Sequence, residues 1–220
     1  DDVFATTVVS SRLLERLAAE AGVAYGEALT GFKWVVRTPV AGQRFAFGYE
    51  EALGYCVGDL VRDKDGITAA LVAAELAARA KAEGSSLLDR LHAIFRRHGV
   101  HVTRQQSIRV QGADWLPRVT AAMAAVRAEP PASVAGRAVT GVEDLLRGHR
   151  FPVPSDVLVW TLDGARAVVR PSGTEPKLKC YAEAVTPVIG DDVEASRAEA
   201  SEVVDQVLEA VAGLLVRQGL

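Results

Sequence analysis

The segment ARAVVRPSGTEPKLKCYAEA holds the groups that a phosphate would need. Its loop, RPSGTEPK, puts Arg170 at the end of one expected strand and Lys177 at the start of the next. Pro171 and Pro176 stiffen the two ends, and Ser172, Gly173 and Thr174 offer two hydroxyls with successive backbone N–H groups. Gly173 permits the positive φ that turns such N–H groups inward as a nest. A guanidinium fork, hydroxyl donors and backbone donors on a rigid turn together suit a phosphate. Pro, Ser, Gly and Thr also favour ordinary hairpin turns, so the residues alone leave the anion site and the plain turn open. Lys177 reads as an added point charge or a solvated strand end. Arg166, four residues before Arg170, reads as an exposed strand position.

Other conspicuous residues carry blander readings. DKDG at Asp63 to Gly66 has two acids, too few for an oxygen-liganded metal site, and Asp65 reads as a helix cap. His98 and His101 flank Gly99-Val100 with no third ligand near, which predicts a solvated helix end. Cys56 and Cys180 lie far apart without CxxC spacing, arguing against a disulfide framework and a zinc knuckle and for buried small side chains. Trp34, Trp115 and Trp160 read as core or domain-interface aromatics, and Ser10-Ser11, with no His or Asp pattern around it, as a cap.

These residues need elements to hold them. Val3 to Val9 is β-branched and uncharged, a buried strand. RLLERLAAEAG follows as a helix closed by Gly22. FAFGYEEALGY reads as a short strand into a glycine-flanked loop. DGITAALVAAELAARAKAEG is a helix with Ile67, Leu71, Ala74 and Ala78 on one face and Gly84 at its end. SLLDRLHAIFRRHG predicts a second helix and VHVTRQQSIRV a strand. PRVTAAMAAVRAE is a helix stopped by Pro130-Pro131. Strands in SDVLVWTL, ARAVVR and LKCYAEAV and an amphipathic helix from about Asp192 to Val216 complete the pattern. The expected fold is α/β: a first domain over residues 1–112 with helices on both faces of a sheet, then a small α+β domain over 113–220 with an antiparallel sheet.

Composition agrees with a packed globule. The 220 residues are 49% hydrophobic and 24% charged, and area scaling lets a chain of this size bury about 70% of its surface. A net charge of -3 supplies no global attraction to nucleic acid or anionic membranes. No uncharged run exceeds nine residues, well short of the roughly 20 that span a bilayer. We therefore expect no membrane or nucleic-acid partner and, from the cysteine usage, a reducing cytoplasm. The opening Asp1-Asp2 without Met leads us to expect a piece of something longer.

RPSGTEPK resembles the phosphate-binding loop of the α-D-phosphohexomutase family, the phosphoglucomutases and phosphomannomutases. Upstream and in the same order, FAFGYEEALGYCVGDLVRDKDGITAA resembles the family's sugar-binding loop and the helix after it, and TGFKWV at Thr30 to Val35 a third segment. The resemblance implies domains three and four of a four-domain isomerase. Such an enzyme moves a phosphoryl group between the C1 and C6 hydroxyls of a hexose phosphate through a bisphosphate, with a hexose bisphosphate activator. The family's phosphoserine loop and its Mg2+ site of clustered aspartates have no match in these residues. The resemblance thus makes the missing N-terminal domains of the same protein a partner, the metal ligands absent from this chain, and the 220 residues alone inactive.

It further implies that Arg170, Ser172, Gly173, Thr174 and Lys177 hold the phosphate of a phosphosugar. It gives Glu50, with Glu51 beside it, the sugar hydroxyls, and makes Lys33 and Lys64 candidates for charge stabilisation or proton transfer. Ala52 stands where many members have serine, which leaves the preferred sugar open between glucose, mannose and a phosphopentomutase-type pentose substrate. The other reading is a non-catalytic phosphosugar-binding module.

Overall fold

A computed structural model describes residues 1–148 and 150–220. Contacts divide the chain into two compact units. The first comprises residues 1–99 with 187–193, and the second 100–186 with 194–220.

The first unit contains β1 (Asp2–Thr7), α1 (Leu13–Ala21), β2 (Ala24–Ala28), α2 (Phe32–Val35), β3 (Arg44–Glu50), β4 (Gly54–Val57), α3 (Gly66–Ala82) and α4 (Leu87–His98). Its sheet has the order β2-β1-β3-β4. β1 runs parallel to both neighbours, and β3 turns back on β4 as an antiparallel hairpin. The central position of β1 explains its uncharged run from Val3, since a strand flanked on both edges in a parallel arrangement is buried. Ala5, Ala28, Phe32, Val35, Val36, Phe45 and Cys56 pack as a core cluster.

Capping in this unit is uneven. Asp65 caps α3 as expected, its carboxylate accepting from the N–H groups of Ile67 (3.0 Å) and Thr68 (3.3 Å). Ser86 and Asp89 form a reciprocal capping box on α4. The Ser10-Ser11 cap is met by Ser11 alone, one position before the N-cap residue Arg12, which itself makes no side-chain cap. Ser11 Oγ accepts from Leu13 N–H, while buried Ser10 shares a hydrogen bond with Thr7 and accepts from Glu51 N–H at 3.1 Å. Ser10 therefore ties the end of β1 to the β3–β4 hairpin. On α3, Ile67 and Leu71 are exposed, and Ala80 is the one fully buried residue. The apolar stripe read from its spacing exists but is uncovered within this unit.

The second unit contains β5 (Val100–Arg109), α5 (Trp115–Ala128), β6 (Ser133–Val134), β7 (Arg137–Asp144), β8 (Leu158–Leu162), β9 (Ala165–Pro171), β10 (Lys177–Thr186) and, from its second residue on, α6 (Val193–Arg217). One sheet, in the order β5-β10-β9-β8-β7-β6, is antiparallel throughout. Leu178, Cys180, Ala182 and Ala184 alternate along one face of β10 and join Trp160, Met123 and Val119 in the core. α6 supplies Ala200, Val203, Val204, Val207, Leu208, Val211 and Leu215 at helical spacing. The division falls at Gly99/Val100 rather than near Gly112 because β5 pairs with β10 over its full length, from Lys177 opposite Arg109 to Thr186 opposite Val100. A strand adjoining one domain in sequence is hydrogen-bonded into the other.

Candidate functional site

Glu50 is the last residue of β3, where the hairpin loop begins. It is 9% exposed, and both its oxygens are engaged: Oε1 accepts from Gly31 N–H at 2.6 Å and Oε2 pairs with Lys64 Nζ at 3.2 Å. Lys64 Nζ also donates to the Ala52 carbonyl at 3.2 Å. Two glycines make this possible. Gly31 adopts φ 114°, which a side chain would oppose, and a Cβ on Gly54 would lie 2.4 Å from Lys64 Cε, across whose path it sits. The three segments TGFK, YEEAL and DKD thus meet at one carboxylate. Sequence named all three but not the backbone N–H of Gly31. The signal was the pair of glycines, each inside a segment already singled out.

The neighbours of Glu50 fall differently. The Glu51 side chain is exposed, and its N–H goes to Ser10. Leu53, also exposed, holds φ 52°, a left-handed conformation that costs a non-glycine residue about 1 kcal/mol. Lys33 is exposed with Nζ 5.3 Å from the Trp34 ring centroid, a cation–π contact. It makes no hydrogen bond or ion pair with Glu50.

In the second unit the RPSGTEPK loop joins β9 to β10. Ser172 N–H donates to the Lys177 carbonyl at 2.9 Å, closing the loop at its base, and Val110 N–H donates to the Pro176 carbonyl. Ser172 is buried, Arg170 partly buried and Thr174 exposed. Among the described residues the Arg170 guanidinium and the Ser172 and Thr174 hydroxyls have no protein partner. Two expectations change. Gly173 does not take a positive φ, so the nest argument fails. A Cβ there would meet nothing within 4 Å, and the open space in front of the backbone is what the glycine supplies. Lys177 is 16% exposed and pairs with Glu175 at 2.6 Å, and this ammonium holds the Glu175 carboxyl below its usual range. Its charge is already matched within the loop. Beside it a cavity of about 460 Å3 is lined by Arg109, Trp115, Glu175 and Lys177 among others.

The blander readings of several residues also change. Arg166 is buried, not exposed: it lies directly opposite Glu183 and bonds to it at 2.9 Å, while His101 Nδ1 meets the other Glu183 oxygen at 2.9 Å. One carboxylate therefore links β5, β10 and β9. His98 is not a solvated end either, since its Nε2 meets Glu20 at 2.7 Å and that contact lowers the Glu20 pKa. Buried cysteines behave as expected. Both are free, and burial pushes the Cys180 thiol up to about 12 and the Cys56 thiol upward. Trp160 is a core residue, and Trp34 and Trp115 border the cores of their units. Among the described residues no three His, Cys, Asp or Glu side chains are grouped as a metal site requires, and no helix is long and apolar enough to cross a membrane.

Comparison with known proteins covers both units. Residues 1–97 match the description "Phosphoglucomutase/phosphomannomutase, alpha/beta/alpha domain III", and residues 117–210 match its C-terminal domain. A "probable phosphomannomutase" of Haemophilus influenzae is 42% identical over 82% of this chain and 36% of its own length. The human phosphopentomutase is 30% identical over 95% of this chain and 37% of its own. Among solved structures, the Paramecium parafusin phosphoglucomutase aligns with a TM-score of 0.69 at 16% identity over 98% of this chain and 38% of that one, a likeness of fold. The chain spans little more than a third of the length of these relatives. Two matched domains in order make this chain a member of the phosphoglucomutase/phosphomannomutase family, carrying its domain III and C-terminal domain.

Proposed function

We propose that these residues are the substrate-holding half of a phosphosugar mutase that moves a phosphoryl group between the C1 and C6 hydroxyls of a hexose phosphate through a bisphosphate. The observation that carries the reading is the state of the RPSGTEPK loop, whose guanidinium and two hydroxyls lack protein partners among the described residues. Unspent donors beside an open glycine suit a phosphate that is bound but not reacting. Holding it uses remote binding energy to orient the hydroxyl that reacts. Glu50 would accept from adjacent sugar hydroxyls, with Lys64 keeping its second oxygen in place and placing positive charge near the migrating phosphoryl group. Lys33, Glu51 and Lys177 have lesser parts in this reading.

The phosphoserine and Mg2+ belong, in our reading, to N-terminal domains of the same protein, and the bisphosphate activator would act there. Among the described residues of this chain, no three His, Cys, Asp or Glu side chains are grouped to hold that metal. A pentose phosphate substrate is the second reading, favoured by the alignment with a phosphopentomutase over 95% of the chain. A non-catalytic phosphosugar-binding module is a third.

The test is binding and turnover measured separately. The 220-residue chain should bind glucose 1-phosphate, mannose 1-phosphate or ribose 1-phosphate with saturation but turn none over in a coupled assay containing the bisphosphate. A longer polypeptide carrying the N-terminal domains should turn over one of them. Turnover by the purified 220-residue chain would overturn the half-enzyme reading, and failure to bind any of the three would overturn the substrate-holding role.

A further inference from the structure

The first unit contains a second concave surface that neither Glu50 nor Lys64 lines. It is a cavity of about 440 Å3 between the segment after α2, the start of β3 and the loop after β4. Arg37, Arg44 and Arg62 line it with one acid, Asp59, while Pro39 and buried Phe45 supply apolar wall. The three guanidiniums differ in what holds them. Arg44 is fixed by a two-pronged pair with Asp2, Nε to Oδ1 at 2.8 Å and Nη2 to Oδ2 at 2.9 Å, so its charge is matched. Arg62 Nη2 reaches only the Val36 carbonyl at 3.4 Å, and among the described residues neither Arg62 nor Arg37 has an ion pair. Two uncompensated guanidiniums on one concave surface repel each other, and an anion seated there would relieve that repulsion while using their forked donors.

We propose that this cavity binds a small organic phosphate monoester of sugar-phosphate size. Two unmatched guanidiniums suit the charge of a phosphate monoester near neutral pH, roughly -1.5 to -2. The volume is within the roughly 300–1,000 Å3 usual for small-molecule sites and exceeds what inorganic phosphate fills. Phe45 and Pro39 give the organic part a surface to cover, and Asp59 offers a hydroxyl an acceptor. The inference stands apart from the proposed mutase role, because none of its residues belongs to that reading.

The experiment is an NMR titration of the whole 220-residue chain with glucose 6-phosphate and, separately, inorganic phosphate. It follows the amides of Phe45, Gly58 and Asp59 at the cavity and of Gly173 and Thr174 at the loop. Glucose 6-phosphate should shift the cavity amides with saturation and about tenfold tighter than inorganic phosphate. An Arg37→Ser/Arg62→Ser double variant should weaken that binding about tenfold or more, whereas Arg170→Ala should leave it within about twofold. Because Arg37 and Arg62 are exposed, the fold should tolerate the change. Arg37→Ser alone and Arg62→Lys provide milder variants that should weaken binding less. No saturable shift at the cavity amides, or shifts the double variant does not weaken, would overturn the site. Equal affinity for inorganic phosphate would overturn its assignment to a monoester. Loss of loop binding alone in Arg170→Ala would bear on the mutase reading and not on this one.

Discussion

The two candidate sites are built in opposite ways. In the first unit Glu50 is buried and both its oxygens are used, by Gly31 and Lys64, before any ligand arrives. In the second, the Arg170 guanidinium and the Ser172 and Thr174 hydroxyls have no protein partner among the described residues. The carboxylate is part of the fold as well as of the site, so a ligand must share it. The loop donors contribute little to folding and are free to meet a ligand. Removing a member of the first site should therefore cost stability, and removing a member of the second should cost affinity alone.

The largest effect expected from that contrast is in binding. Arg170→Ala should weaken a sugar phosphate by about 10- to 150-fold through lost charge-assisted hydrogen bonds, while changing unfolding free energy by no more than about 0.5 kcal/mol. Isothermal titration and urea denaturation measure the two, and a stability loss as large as the binding loss would erase the contrast. Next, Glu50→Ala should lower stability by about 1–3 kcal/mol, because it strands the Gly31 N–H and unpairs Lys64. The exposure of Lys64, 43%, keeps the value below that of a fully buried pair. Glu50→Gln, which can still accept from Gly31, should lose less, and equal losses in the two variants would mean that the hydrogen bond to Gly31 carries nothing.

Smaller effects follow from titration and reactivity. Thr68 and the backbone N–H groups of α3 hold the Asp65 carboxyl below its usual range. A depressed folded value means the cap contributes fully above the ordinary Asp pKa of about 3.9 and is lost as pH falls through the folded value. Protection factors of the α3 amides, that is, exchange rates divided into the intrinsic rate at the same pH, should fall on acidification below that range, and Asp65→Asn, a cap without a charge, should remove much of that pH dependence. Protection that does not respond to acid would show that the cap does not hold α3. Cys180, with its thiol pushed up to about 12, should resist a disulfide reagent at pH 8 until the chain is denatured. Labelling of native chain at the rate of a free thiol would contradict its burial.

Much of the fold was legible from local pattern. The uncharged run at β1, the Asp65 cap, the helical spacing of α6 and the alternation along β10 each follow from nearest-neighbour chemistry. β6 and β7 were missed because β6 is only two residues long and β7 is half-exposed along its length, and pairing of β7 with β8 and of β6 with β7, rather than propensity, makes them strands. Arg166 was misread for a related reason: its burial depends on Glu183, a residue seventeen positions away that register places opposite it. The site was legible as three motifs but not as contacts.

What sequence by itself determined is the inventory: two domains' worth of elements, a glutamate in a hairpin, a lysine before a capped helix, and a loop of phosphate-type donors. These depend on residue type and short spacing, which the chain carries locally. Tertiary structure alone decided which of those groups were already spent. Gly31 and Lys64 reach Glu50 from 19 residues before and 14 residues after it in the chain, and Glu175 takes up Lys177 while among the described residues nothing takes up the Arg170 guanidinium. Hydrogen-bond partnership is a short-range contact between atoms brought together by packing over long sequence separations, and so it could not be read until the chain was folded.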